Sequence, residues 1–261
     1  MPTSDVQSGD PDSDHPNRRG PNRADPNDGA DPAPSLRAPI DEPTAAQARL
    51  AVVFTNLLLS SVYRHFIDSL GLVGDERVID YGSGSGAAAR HLVRRLPTGE
   101  LTCVDVSTRW LATARLVLRR RHHNVRFVLG DIRDSGLPTE AFDLVLIHWM
   151  FHDIPVADRR PVLETLVSLL RPGGRVAIRE PSAPSALSDG EWIDAGELCG
   201  LLTAVGLVMD RWEVGQLWPL GRYVAGLFAK PGPTEPGPTE PGPTEPGPVE
   251  PDETPTPPAL S

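Results

Sequence analysis

The sequence predicts an α/β domain: a doubly wound, mostly parallel sheet of seven strands, closed by an antiparallel hairpin at its C-terminal edge. Three observations predict it. Short, nearly continuous apolar runs alternate with amphipathic ones through the middle of the chain, a glycine-rich turn follows the first apolar run, and the last two apolar runs have no helix between them. Near-continuous apolar strands belong to a parallel sheet covered on both faces. Two successive strands without a crossover helix pair as a hairpin.

The domain occupies only part of the 261 residues. Residues 1–43 are crowded with Asp, Pro, Asn and Gly, and residues 231–261 repeat PGPTE three times before PGPVE and PDETPTPPALS. Both segments offer too little apolar surface to offset the entropy of ordering, so both are expected to be disordered. The proline-rich tail is expected to act as a spacer. The first 43 residues carry nine acids and four bases, residues 230–261 carry six acids and Lys230, and the remainder holds 20 acids and 20 arginines. The net charge of −10 therefore describes the ends: the domain, residues 44–230, is formally neutral up to Ala229.

From Thr44 to about Leu70, Leu50, Val53, Phe54, Leu57, Tyr63, Phe66 and Leu70 recur at helical steps. Residues 44–74 thus form an N-terminal helical cap. Val52, Leu58 and Leu59 add apolar groups on other faces, which predicts a helix covered on more than one side. Strands are expected at 77–81, 100–106, 125–131, 142–148 and 175–181, and helices at 86–96, 108–121 and 158–170. A helix over about 193–205 precedes the closing pair of strands, 207–214 and 222–230.

The stretch VIDYGSGSG, residues 78–86, places Gly82, Gly84 and Gly86 directly after the first strand. Such a turn brings backbone close to a ligand, and in a doubly wound sheet ligands sit beyond the carboxyl ends of the strands. The spacing suits S-adenosylmethionine (SAM), and through Gly82, Gly84 and Ala87 it also suits a nicotinamide dinucleotide. Asp105, ending the second strand, stands where either ligand's ribose acid would, or it caps the helix that starts near Thr108. Asp131 follows the third strand, where an adenine amino group could donate to it beside the Ile132 amide.

Taken together, VIDYGSGSG, LTCVDVS, GDIRDSGLP, FDLVLIHWMFHDIP and LLRPGGRVAIREP resemble, in order and spacing, the class I SAM-dependent methyltransferase family. The resemblance runs over about residues 75–230 and implies a Rossmann-like fold with SAM as cofactor. It implies that Asp80, Gly82, Ser83, Gly84 and Gly86 line the methionine end of SAM, and that Asp105 holds the ribose. Val106 would pack on the adenine, Asp131 and Ile132 would read its edge, and the backbone around His148 would face the methionine amino group and sulfonium. Ser83 stands where many members have Cys or another small residue.

Methyl transfer from a sulfonium needs alignment in a pocket with little water, and a base only where the acceptor must lose a proton. His148 and His152 are the candidate bases; four apart, they would share one face of a helix, with Asp153 to orient an imidazole. The alternative is that His152 and Asp153 fix the turn after the fourth strand and do no chemistry. No metal site is expected from the residue clusters, and two distant cysteines, Cys103 and Cys199, suit a reducing cytoplasm. No secretory signal is evident, and the apolar stretch at 50–62 is too short to span a bilayer. Phe54, Tyr63, Phe66, Trp192 and Trp218 lie in segments where such enzymes build acceptor pockets. They point to a small or medium apolar acceptor rather than nucleic acid.

Overall fold

The structure, a computed structural model, describes residues 42–119, 124–184, 192–218 and 220–232. The expected disordered ends fall outside the described residues apart from Glu42, Pro43, Pro231 and Gly232, as do residues 120–123 of the basic run after Arg119.

Seven strands form one sheet: β1 (Arg77–Tyr81), β2 (Glu100–Asp105), β3 (Val125–Leu129), β4 (Phe142–His148), β5 (Leu170–Pro181), β6 (Val208–Leu217) and β7 (Gly221–Ala229). Their order is β3-β2-β1-β4-β5-β7-β6. β1 to β5 are parallel, while β7 runs antiparallel to both β5 and β6, so the closing hairpin inserts its second strand inside its first. Strand order reverses between β1 and β4, which opens a crevice at their carboxyl ends.

The period-2 alternation of the strands divides the core. One face, carrying Val78, Leu101, Cys103, Leu144, Leu146 and Ala177, packs on α2 (Ser60–Asp68), α3 (Ala89–Arg95) and α4 (Thr108–Leu118). The other, carrying Ile79, Val104, Val145, Ile147, Val176 and Ile178, packs on α5 (Val156–Leu169) and α6 (Ala195–Ala204).

Two expectations need correction. The 44–70 helix is broken: α1 (Ala45–Val53) runs into a π-helical turn, Phe54–Leu58, and then bends by 59° into α2. Nor is it covered on several sides, since Leu50, Leu57 and Leu58 are each about 70% exposed and only α2 is embedded. The break has a visible partner, because Arg90 of α3 donates Nη1 to the Asn56 carbonyl at 2.6 Å and Nη2 to Ser60 Oγ at 2.9 Å. It thereby takes up a carbonyl at the break in the helical ladder. The Pro172-Gly173-Gly174 segment is the second correction. It joins β5 instead of standing before it, because Gly173 N donates to Lys230 O and Lys230 N to Gly174 O, extending the edge pairing. No single helix among the described residues is long and apolar enough to cross a membrane.

Candidate functional site

The crevice is built from four strand tips. After β1, Gly82 N and Ser83 N both donate to the Val104 carbonyl of β2, which folds the chain back over the sheet edge. Gly82, Gly84 and Gly86 have φ of +70°, +49° and +77°, a left-handed run that residues with a Cβ resist. Their surroundings differ. A Cβ on Gly86 would meet Ala114 Cα at 3.1 Å, so Gly86 lets α3 and α4 approach, whereas a Cβ on Gly84 would meet only the Gly82 carbonyl oxygen, at 3.8 Å. A Cβ on Gly82 would fall 2.4 Å from Met150 Cγ. Met150, from the turn after β4, therefore lies on the first glycine, a contact that nothing in the local sequence signals.

Asp105 is buried, and its two carboxylate oxygens accept from Gly84 N at 2.8 Å and Ser107 N at 2.9 Å. It thus ties the glycine turn to the start of α4, while Ser107 Oγ caps that helix through Trp110 N. Burial raises the Asp105 pKa above the ordinary carboxylate value. Glu42, which sequence reasoning missed, completes this corner. Its carboxylate accepts from Ser107 Oγ and Thr108 N at 2.7 and 2.8 Å, at the positive end of α4. Val106, beside it, is 39% exposed.

Asp80 sits beneath the glycine turn, almost fully buried, and its Oδ2 has no partner among the described residues. Burial, and secondarily the charge of Asp105, push its pKa up to about 7. Ser83 Oγ is likewise buried, against the Cys103 thiol. Beyond β3, the Gly130 amide donates to the Asp105 carbonyl and so brings Asp131 beside the tip of β2. Asp131 is engaged by Arg133, whose Nε and Nη2 each reach a carboxylate oxygen at 3.0 Å while Nη1 reaches Asp158 at 2.6 Å. Ile132 is buried under it.

The two histidines do not share a helix face, contrary to their spacing. His148 ends β4, and Trp149 then takes φ +54°, a strained value for a non-glycine residue that reverses the chain into a 3-10 turn, Phe151–Asp153. His148 points to the α2 side, with its ring centroid 4.4 Å from that of Tyr63, 4.8 Å from Trp149 and 5.3 Å from Phe66. Neither ring nitrogen has a partner among the described residues, and burial holds its pKa well below the usual histidine value. His152 instead pairs with Glu180: Nδ1 lies 2.5 Å from Oε2, and Nε2 lies 3.3 Å from Asp153 Oδ1. Glu180, wholly buried, also accepts from the backbone amides of Met150, Phe151 and His152 at 3.0–3.3 Å. One carboxylate thus gathers the whole turn after β4. The buried Arg159 of α5 adds hydrogen bonds to the Ile154 and His152 carbonyls.

Of the aromatic residues expected around an acceptor, Tyr63 and Phe66 join His148, and Phe54 packs nearby against the same core. Trp192 lines an open depression of about 400 Å³ with His152 and Arg159, and Trp218 is 89% exposed. Tyr223 and Arg179 belong with the first group: the Arg179 guanidinium lies 4.2 Å from the Phe66 ring centroid and 4.8 Å from that of Tyr223. Among the described residues no group of three or more His, Cys, Asp or Glu side chains could hold a metal ion.

Residues 78–174 match a family model described as a methyltransferase domain. The chain is 32% identical over 152 residues to a protein of Mycobacterium tuberculosis named as an uncharacterized methyltransferase, covering 58% of this chain and 72% of that one. It is 32% identical over 124 residues to a ubiquinone/menaquinone biosynthesis C-methyltransferase of Idiomarina loihiensis, covering 46% of this chain and about half, 49%, of that protein. The crystal structure of a SAM-dependent methyltransferase from Aquifex aeolicus superposes with a TM-score of 0.59 at 17% identity, over 72% of this chain and all of that one.

Proposed function

Because the chain belongs to the class I SAM-dependent methyltransferases, with SAM as its cofactor, we propose that it methylates a small or medium apolar molecule at the crevice between β1, β4 and β5. The residues present fit the cofactor. SAM brings a sulfonium and an ammonium, and the crevice holds a buried carboxylate oxygen on Asp80 without a partner among the described residues, with the buried Ser83 hydroxyl nearby in the same turn. At Gly84 the left-handed turn is uncrowded, a Cβ there meeting only the Gly82 oxygen at 3.8 Å, so a methionine chain can approach backbone.

In this reading Asp80, Gly82, Ser83, Gly84 and Gly86 form the methionine end, and the backbone around His148 borders the sulfonium. Asp105 takes the ribose, which its position between Gly84 and Ser107 supports. Val106 covers the adenine, while Asp131 and the Ile132 amide meet its edge. When bound, SAM supplies a methyl group already activated by the positive sulfur. The chain's own work is to align donor and acceptor and to exclude water. His148 is neutral and surrounded by rings, so it suits a hydrogen bond to the acceptor better than a charged role. His152, engaged on both nitrogens, is read as a positioning residue that fixes the turn after β4.

The observation that carries the acceptor class is the aromatic group of Tyr63, Phe66, His148 and Trp149 next to the donor crevice. The likeness to a quinone-biosynthesis C-methyltransferase supports an aromatic body. Incubating the purified chain with methyl-labelled SAM and fractionated small-molecule extracts tests the reading. Label in low-molecular-weight, solvent-extractable products is expected, and label confined to protein or nucleic acid would contradict it.

A further inference from the structure

The donor crevice and its neighbour carry opposite charge. On the β1–β2 side stand Asp80 and Asp105, suited to a cationic donor, and on the β5–β7 side stands the buried cation of Arg179. Arg179 is 8% exposed, and its guanidinium is stacked against the Phe66 and Tyr223 rings. A stacked guanidinium presents its N–H bonds only in its own plane. Along that plane Nε has no partner among the described residues, while Nη2 makes a long ion pair with Glu213 at the half-exposed rim, at 4.0 Å too far apart for a hydrogen bond. Glu213 is itself engaged by the Tyr223 hydroxyl at 3.3 Å. Glu180, next in sequence, points to the opposite face and is occupied by the 150–152 turn.

A buried guanidinium is costly unless its donors are satisfied, and the edge formed by Nε and Nη2 is the fork that matches a carboxylate bidentately. The fork lies close to the reaction centre. Arg179 is the register partner of His148 on β4, and β4 adjoins β1, so Arg179 stands about 10 Å, two strand spacings, from the glycine strand. That separation suits a handle at one end of an acceptor whose other end meets the methyl group. His148, with two unpartnered ring nitrogens, lies between.

We propose that the acceptor is an apolar acid whose carboxylate docks on the Nε and Nη2 edge of Arg179, its body lying among Tyr63, Phe66, Trp149 and Tyr223. This rests on the methyl-transfer reading and narrows its acceptor class from apolar molecules to apolar acids. Arg179 is then the specificity-determining residue, and the nucleophilic atom lies at the far end of the molecule.

The test pairs acids with their neutral amides on the full chain saturated with S-adenosylhomocysteine. Probes are 4-phenylbutyrate against 4-phenylbutyramide and 2-naphthoate against 2-naphthamide, followed by calorimetry and intrinsic tryptophan fluorescence. At least one acid is expected to bind about tenfold or more tighter than its amide. Arg179→Met should abolish that preference, and Arg179→Lys, which keeps the charge but loses the fork, should retain only part of it. Affinity for S-adenosylhomocysteine should stay within about twofold in both variants, which also reports that they fold. Acid and amide binding alike, the preference surviving in Arg179→Met, or no acid binding below the millimolar range would each overturn the proposal. Should Arg179→Met not fold, the lysine variant decides, since undiminished preference there rules out the fork. Failure of the wild type to bind S-adenosylhomocysteine would instead remove the methyl-transfer reading beneath it.

Discussion

Asp80 gives the sharpest quantitative prediction. Its carboxyl is buried under the glycine turn with one oxygen unpartnered, and its pKa stands at about 7 against 3.8 for an ordinary Asp. A rise of that size corresponds to about 4 kcal/mol against the ionised form in the empty site. The raised value means that the folded chain holds a proton the unfolded chain has lost. The contribution of Asp80 to stability is therefore complete below about pH 3.8 and is lost as pH rises to about 7. A cationic cofactor reverses the preference, so binding requires release of that proton. SAM should bind about tenfold tighter at pH 8 than at pH 6, with close to one proton released per molecule bound at pH 6. Calorimetry in two buffers of different ionisation enthalpy measures both quantities. Asp80→Asn should flatten the dependence, which separates it from titration of the ligand's own amino group. Equal affinity at the two pH values, or an equal dependence in Asp80→Asn, would refute the reasoning.

Other consequences follow from single contacts. Gly82→Ala forces a Cβ into Met150 at φ +70°, and should lower stability by about 1–2 kcal/mol and weaken SAM binding; Met150→Ala in the same chain should restore part of the affinity, which paired thermal melts and titrations would read. Glu180→Ala strips the acceptor from three buried or half-buried amides, and urea unfolding should show a loss of about 3 kcal/mol or more, with Glu180→Gln milder. His152→Asn should lower the thermal midpoint while leaving single-turnover methyl transfer within about threefold; a loss of about a hundredfold with unchanged stability would make His152 the general base.

The sheet was legible because parallel strands write themselves as apolar runs: the tips of β1, β2, β3 and β4 fall within two residues of their expected ends. The hairpin was legible for the same reason, two runs with no helix between. The broken cap was not. Its apolar residues keep helical spacing straight through Phe54–Leu58, and the bend depends on Arg90, a residue of another helix that reaches the Asn56 carbonyl. The spacing of His148 and His152 misled in a different way. A four-residue step means a shared face only inside a helix, and here a strand ends at the first histidine and Trp149 turns the chain. The partners that define the site, Met150 on Gly82, Glu42 on α4 and Glu180 on the 150–152 turn, are long-range contacts. Residues 28 to 68 apart in sequence carry no local periodicity that would pair them.

The central claim is that carboxylates at the tips of β1 and β2 hold an adenosyl sulfonium across the top of the sheet. The most direct measurement is the dissociation constant of S-adenosylhomocysteine for Asp105→Ala beside the wild type, with circular dichroism confirming that the variant folds. The predicted result is a loss of about tenfold or more, from the missing ribose acceptor and the loosened Gly84 amide. An unchanged constant in a folded variant would contradict the account.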